Sequence, residues 1–204
     1  MKTWKIILTM CLCALFAVSC SEDEDADDQG NTYPSDIPTG KVAMNMYGMW
    51  ALFPENVWGN SVDGSFLDDS LFPRECVKAY LKSDVTEGGY NTAIYFFRFK
   101  ETISKASQAD SIFQDYADML RGSLDEGEND PNLIYIDFKE SASTISTFPA
   151  TRFETVDKKG YYQDNYLFTS GVNMFMVTIS IADTLKTSAK YESCKEIINS
   201  FKLK

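Results

Sequence analysis

The sequence contains no histidine, and that absence decides most of the chemistry the chain can offer. Ser-His-Asp and Cys-His nucleophile pairs, the usual zinc sites and the common proton shuttle at neutral pH all need an imidazole. What remains is paired carboxylates, serine with lysine, and tyrosine. A glycoside hydrolase needs two carboxyl groups roughly 5 to 9 Å apart across a cleft. Asp137 and Glu154 are the acids set inside apolar, strand-like runs, and alternation puts Asp137, between Ile136 and Phe138, on a solvent face. No carboxylate spacing matches a catalytic motif, so no catalytic residue is assigned. Asp63 with Asp68 and Asp69, and Asp125 with Glu126, Glu128 and Asp130, are oxygen donors of the kind calcium takes. Neither group follows the EF-hand spacing, and both read as solvated acidic loops. No metal or cofactor is expected. Trp58 in a loop, with Tyr161, Tyr162 and Tyr166 around a turn, forms a candidate platform for stacking a sugar ring or gripping a protein. Core and rim packing is the plainer role for the same rings.

The N-terminus determines where any such chemistry would take place. Lys2 and Lys5 precede an apolar run, Ile6 to Val18, interrupted only by Thr9; it is too short to span a bilayer and has the form of a cleaved secretory signal. Ala17-Val18-Ser19-Cys20 resembles a lipobox, with alanine where leucine is commoner. By that resemblance to bacterial lipoproteins, residues 1–19 are removed and Cys20 becomes the lipidated N-terminus. Two or three acyl chains then anchor the chain stably in the membrane, at about 0.8 kcal/mol for each buried methylene. Ser21 to Asp28 carries six acids in eight positions, a block that stays solvated and self-repelling. It resembles the acidic export signal of Bacteroidota-type surface lipoproteins, which implies display on the outer face of the outer membrane, the periplasmic face being the alternative. Polar residues continue to Gly40, so 20–40 reads as a flexible tether spanning roughly 25 Å or more.

Residues 41–204 form one domain by length. Setting aside Lys2, Lys5 and the seven acids of 21–40, 17 basic residues face 23 acidic ones, a balance that makes the domain a poor partner for nucleic acid or an anionic membrane face. Of five cysteines, Cys11 and Cys13 leave with the signal and Cys20 takes lipid. Cys76 and Cys194 remain, and they either pair as a disulfide or sit as small buried hydrophobes.

The elements that must position these residues follow from hydrophobic periodicity. Val42 to Phe53 reads as one strand stopped at Pro54, followed by an irregular segment from Glu55 to Pro73. Glu75 to Leu81 alternates weakly, Gly88-Gly89 marks a turn, and Ala93 to Phe99 is a strand apolar on both faces: Tyr95, Phe97 and Phe99 against Ile94 and Phe96. From Ser107, with Asp110 as a capping partner, the stripe Ala109, Ile112, Phe113, Tyr116, Met119, Leu120 predicts a helix closed by Gly122. Four strands follow at 133–138, 151–156, 161–169 and 173–182, joined as an antiparallel meander through Lys158-Lys159-Gly160 and Ser170-Gly171. A terminal helix, 188–201, presents Tyr191, Cys194, Ile197, Ile198 and Phe201 on one stripe. The class is therefore α+β: an antiparallel sheet of about six strands covered by two main helices.

An aromatic first strand, the segment Phe53-Pro54-Glu55-Asn56-Val57-Trp58, a mid-chain helix, a meander, and a last helix ending in Ser200-Phe201 together resemble the PsbP-like fold. Members often carry a proline-x-x-tryptophan there; this chain has one residue more between Pro54 and Trp58. The resemblance implies an α/β/α sandwich over 41–204. It also implies a non-enzymatic accessory or binding role, with a protein or a glycan as partner. The alternative is a histidine-free, carboxylate-dependent glycan hydrolase. Asp69-Ser70-Leu71, Asp110-Ser111-Ile112 and Asp183-Thr184-Leu185 resemble the Bacteroidota acceptor pattern for O-linked glycans.

Overall fold

The computed structural model describes residues 36–62, 74–86, 89–125 and 135–203, all within the compact unit Pro34–Lys204. Cys20 with its signal and residues 21–35 of the tether, the first acceptor triplet, and Asp63, Asp68, Asp69, Glu126, Glu128 and Asp130 lie outside the described residues.

Twelve strands and two α-helices are described, in the order β1 (Lys41–Met46), β2 (Met49–Pro54), β3 (Trp58–Val62), β4 (Arg74–Leu81), β5 (Val85–Thr86), β6 (Gly89–Tyr90), β7 (Thr92–Thr102), α1 (Ala106–Asp125), β8 (Tyr135–Ile145), β9 (Phe148–Asp157), β10 (Tyr161–Ser170), β11 (Asn173–Ala182), α2 (Ala189–Asn199) and β12 (Lys202–Leu203). The main sheet has seven antiparallel strands in the order β3-β4-β7-β11-β10-β9-β8, so it is larger than the six expected. A separate sheet, β1-β2-β12, and the small β5-β6 hairpin complete the described strands.

The stretch 42–53 is a hairpin, where the sequence suggested one strand. Tyr47 and Gly48 both take positive φ, 55° and 80°, the pair of left-handed residues that a tight two-residue turn requires. The Gly48 amide donates to Asn45 Oδ1 at 3.3 Å. Trp58 likewise starts a strand, and its ring is buried.

The meander is as expected, β11-β10-β9-β8, with Gly160 and Gly171 at positive φ in its connections. Its outer strands are longer than expected because a further turn at Ser146, φ 53°, joins β8 to β9. Helix α1 begins at Ala106, one residue before the expected cap. There the amide and hydroxyl of Ser104 both donate to Gln108 Oε1, at 2.9 and 3.2 Å, so Gln108 does the capping work assigned to Ser107 and Asp110. Gly122 lies inside the helix, which continues to Asp125.

Two cores flank the main sheet. On one face α1 lays Ala109, Phe113, Tyr116 and Ala117 over Phe97, Phe99, Phe153, Leu167 and Met176. On the other, α2 and the β1-β2-β12 sheet cover Ile94, Phe96, Phe168, Val177 and Ile179. Strand β7 therefore feeds both cores, as its two apolar faces predicted, and the layering is that of an α/β/α sandwich. Burial of each large apolar side chain is worth about 1.5–3 kcal/mol. The Ser200-Phe201 pair after α2 has a physical role: Ser200 Oγ accepts from the Leu52 amide at 2.8 Å. Phe201, fully buried, packs on Phe96, Phe148 and Phe168.

This layering also separates the two cysteines. Cys76, opposite Phe97 in the β4-β7 register, belongs to the core under α1, whereas Cys194 belongs to the core under α2. With the sheet between them they do not pair, so the disulfide alternative is corrected to two buried thiols. Burial pushes the Cys194 thiol up to about 12. A second polar tie docks α2: Lys190 Nζ and the Thr92 hydroxyl donate to Asp84 at 2.5 and 2.7 Å. The hydrogen bond from Lys190 holds the Asp84 carboxyl below the usual carboxylate range.

Candidate functional site

Strand β10 points Tyr162, Asp164, Tyr166 and Phe168 to the face beneath α2, because side chains two apart share a face. A carboxylate in that row is costly to bury unless it is paired and fully hydrogen-bonded, and Asp164 has no exposed surface. Arg152, on the adjacent β9, supplies the pairing: Nε donates to Asp164 Oδ1 at 2.6 Å and Nη2 to Oδ2 at 3.0 Å. Tyr166 and Tyr191 donate their hydroxyls to Oδ2 at 2.8 and 2.6 Å. Tyr191 comes from α2, so the charge cluster also fastens the helix to the sheet.

Above this buried base, Glu154 sits directly across from Asp164 in the β9-β10 register. Tyr162 donates to Glu154 Oε1 at 2.6 Å, Arg152 Nη2 stands 3.3 Å from the same oxygen, and Lys139 Nζ lies 3.4 Å from Oε2. Burial by itself would raise the Glu154 carboxyl, but the Tyr162 hydrogen bond with the charges of Arg152 and Lys139 holds it below its ordinary value. Burial and the neighbouring carboxylates push Tyr162, Tyr166 and Tyr191 well above the usual phenol range. These three hydroxyls therefore stay protonated donors. Arg152 is desolvated, yet the Asp164 carboxylate more than offsets this and keeps it charged.

A cavity of about 340 Å³ opens over this network. Arg152, Glu154, Tyr162 and Tyr191 form its floor; Asp137, Lys139, Thr187, Lys186 and Lys195 stand around it. Its volume is at the small end of ligand sites, which run about 300–1,000 Å³. A second concavity of about 150 Å³ lies between Tyr47, Arg98 and Asn173. Among the described residues no group of three or more acids and cysteines is arranged to hold a metal ion.

The expected aromatic platform is not assembled as an open surface. Trp58 is buried edge-on against Phe53, ring centres 5.7 Å apart. Tyr162 and Tyr166 are buried with their hydroxyls committed to Glu154 and Asp164. Tyr161 is half-buried and donates to Asn91 Oδ1 at 3.2 Å. The rings pack because the strand period turns Tyr162 and Tyr166 inward, while Trp58 heads an edge strand rather than a loop. Asp137 is exposed, as alternation suggested, and shares the cavity with Glu154. Sequence reasoning missed Arg152 and Asp164. The signal was there: a carboxylate two residues from Tyr162 and two from Tyr166 must be buried if they are, and needs a cation on the next strand. In the two acceptor triplets described, Ser111 and Thr184 are both exposed.

No protein-family model matches the chain, and no curated protein sequence matches it. Solved structures do. The solution structure of cyanobacterial PsbP (CyanoP) from Synechocystis sp. PCC 6803 aligns with a TM-score of 0.51 at 11% identity, over 86% of this chain and 99% of that one. A crystal structure from Bacteroides thetaiotaomicron VPI-5482 aligns at 0.44 with 12% identity over 77% of this chain, which spans only 45% of that protein's length. LpqN of Mycobacterium tuberculosis, described as involved in cell envelope biogenesis, aligns at 0.43 with 13% identity over 80% of this chain and 90% of that one. The likeness to CyanoP shows that the domain has a PsbP-like fold. Among the described residues no helix is long and apolar enough to cross a membrane.

Proposed function

We propose that the chain is an outer-membrane lipoprotein, anchored through lipid on Cys20 and held off the surface by its acidic tether, whose PsbP-like domain is a non-enzymatic binding or accessory module for a protein or a glycan. The anchor and the outward address rest on the lipobox and the acid block. The observation that carries the binding reading is the state of the cavity floor. Glu154 is held ionised by Tyr162, Arg152 and Lys139, and the tyrosines are held protonated. Such a floor presents fixed donors and acceptors, and Glu154 is tuned away from the raised value that a general acid needs. A second reading, the carboxylate-dependent glycan hydrolase, is favoured by one fact: Asp137 and Glu154 line the same cavity.

One experiment separates the two. The full lipidated chain, purified in detergent, is titrated with envelope and dietary glycan fragments while product release is followed in parallel. Saturable binding without turnover, weakened by Glu154→Ala, is the expected result. Turnover that disappears in both Asp137→Asn and Glu154→Gln would establish the hydrolase. Protease shaving of intact cells tests the address: the native domain is cleaved from outside, and a variant with residues 22–28 neutralised is protected.

A further inference from the structure

Resting on that binding reading, we infer that the cavity over Arg152 and Glu154 takes an anionic sugar, a ring carrying a carboxylate or a phosphate along with free hydroxyls. In a domain with 17 basic and 23 acidic residues, the cavity reverses the balance: Lys139, Arg152, Lys186 and Lys195 against Asp137 and Glu154. The cations divide into two kinds. Arg152 is committed to Asp164 beneath it by two hydrogen bonds. The three lysines are 70%, 46% and 40% exposed. Lys186 and Lys195 pair with Asp183 at 2.9 Å and Glu192 at 3.8 Å, acids that stand outside the cavity wall, and the charges of Asp137 and Glu154 also act on Lys186. Pairs this exposed contribute little and exchange readily, so both ammonium groups are available to an incoming anion. They also lie over the rings of Tyr162 and Tyr191, at 5.7 and 5.6 Å from the centroids. The lysines thus cap the rings, and recognition falls to charge and hydrogen bonds rather than to ring stacking.

The requirement for hydroxyls comes from Glu154. Its Oε2 is buried, and the partner that covers it is the exposed Lys139 ammonium, in ion-pair contact at 3.4 Å. When Lys139 swings onto a ligand anion, this oxygen opens to an acceptor site that a hydroxyl satisfies and a bare anion is repelled by. A free anion therefore meets lysines and a carboxylate together; an anionic sugar satisfies both.

The test is calorimetric titration of the detergent-purified full chain with glucuronate, glucose 6-phosphate, glucose and inorganic phosphate. The expected result is binding of one or both sugar anions, weakened as salt rises, with glucose at least tenfold weaker. Lys186→Ala with Lys195→Ala, both at the exposed rim, lowers sugar-anion affinity by about tenfold. Glu154→Gln weakens the sugar anion by a similar factor while leaving inorganic phosphate unchanged or tighter, a reversal that loss of folding would not produce. Whether the uronate or the phosphate ester binds more tightly identifies the anion's source. Equal binding of glucose overturns the charge requirement and leaves the glycan reading standing. Inorganic phosphate as tight as either sugar anion, or an effect of Glu154→Gln that is the same for both, means an adventitious ion only. Absence of binding to any of the four overturns the inference, whereas the glycan reading itself falls only if the glycan fragments of the preceding titration also fail to bind.

Discussion

Removing Arg152 without its partner is the perturbation whose cost the structure defines best. In Arg152→Met the Asp164 carboxylate, fully buried, keeps the two tyrosine donors at 2.8 and 2.6 Å and loses both guanidinium bonds. Breaking a buried pair in this way costs about 3–5 kcal/mol, because the remaining charge has neither water nor a counter-ion. Asp164→Asn leaves the opposite orphan, but the arginine side chain is 23% exposed and still faces Glu154 at 3.3 Å. It can regain water, so the cost is smaller, about 1–3 kcal/mol. Replacing both at once, Arg152→Met with Asp164→Leu, removes the uncompensated charge and recovers much of the loss. With an m-value of about 2 kcal/mol/M in urea, Arg152→Met lowers the unfolding midpoint by about 1.5–2.5 M and the double variant by clearly less. Urea unfolding followed by tryptophan fluorescence at pH 7 measures all three. A double variant as unstable as the sum of the singles would refute the reasoning, as would an Arg152→Met midpoint within about 0.5 M of the native one.

Two further outcomes follow from local geometry. A Cβ at Gly59 would stand 2.5 Å from Tyr80 Cζ, and that ring is held by stacking on Tyr90 at 4.3 Å, so Gly59→Ala destabilises by about 1–3 kcal/mol; an unchanged melting temperature would contradict the close approach. The Glu154 carboxyl is held below its ordinary value in the fold, so its contribution is present above the unfolded value of about 4.3 and fades as pH falls through the lowered folded value. The stability gap between native protein and Glu154→Gln, read from urea midpoints, therefore narrows between pH 7 and pH 3, and a gap that does not change with pH would disprove the coupling.

Much of the architecture could be read from periodicity. The two helices, the four-strand meander and the two-faced strand 93–99 are long enough for the apolar pattern to dominate local preference. The hairpin at Tyr47-Gly48 was obscured because apolar residues run on both sides of its turn, Met44 and Met46 before it and Met49 and Trp50 after it. Strand β12 was illegible for another reason: Lys202-Leu203 has no pattern of its own and is a strand only because β2 lies beside it.

The sequence by itself determined the missing imidazole chemistry, the block of six acids between Ser21 and Asp28, and the α+β class, since these depend on residue type, local charge and period alone. Tertiary structure decided which side chains meet. It put Cys76 and Cys194 on opposite faces of one sheet, turned the candidate aromatics inward, and built the Arg152–Asp164 network from two strands and a helix separated by up to 39 positions. Strand register and helix docking create that network. Neither leaves a trace in the composition, because a buried arginine-aspartate pair and a solvated one are written with the same two letters.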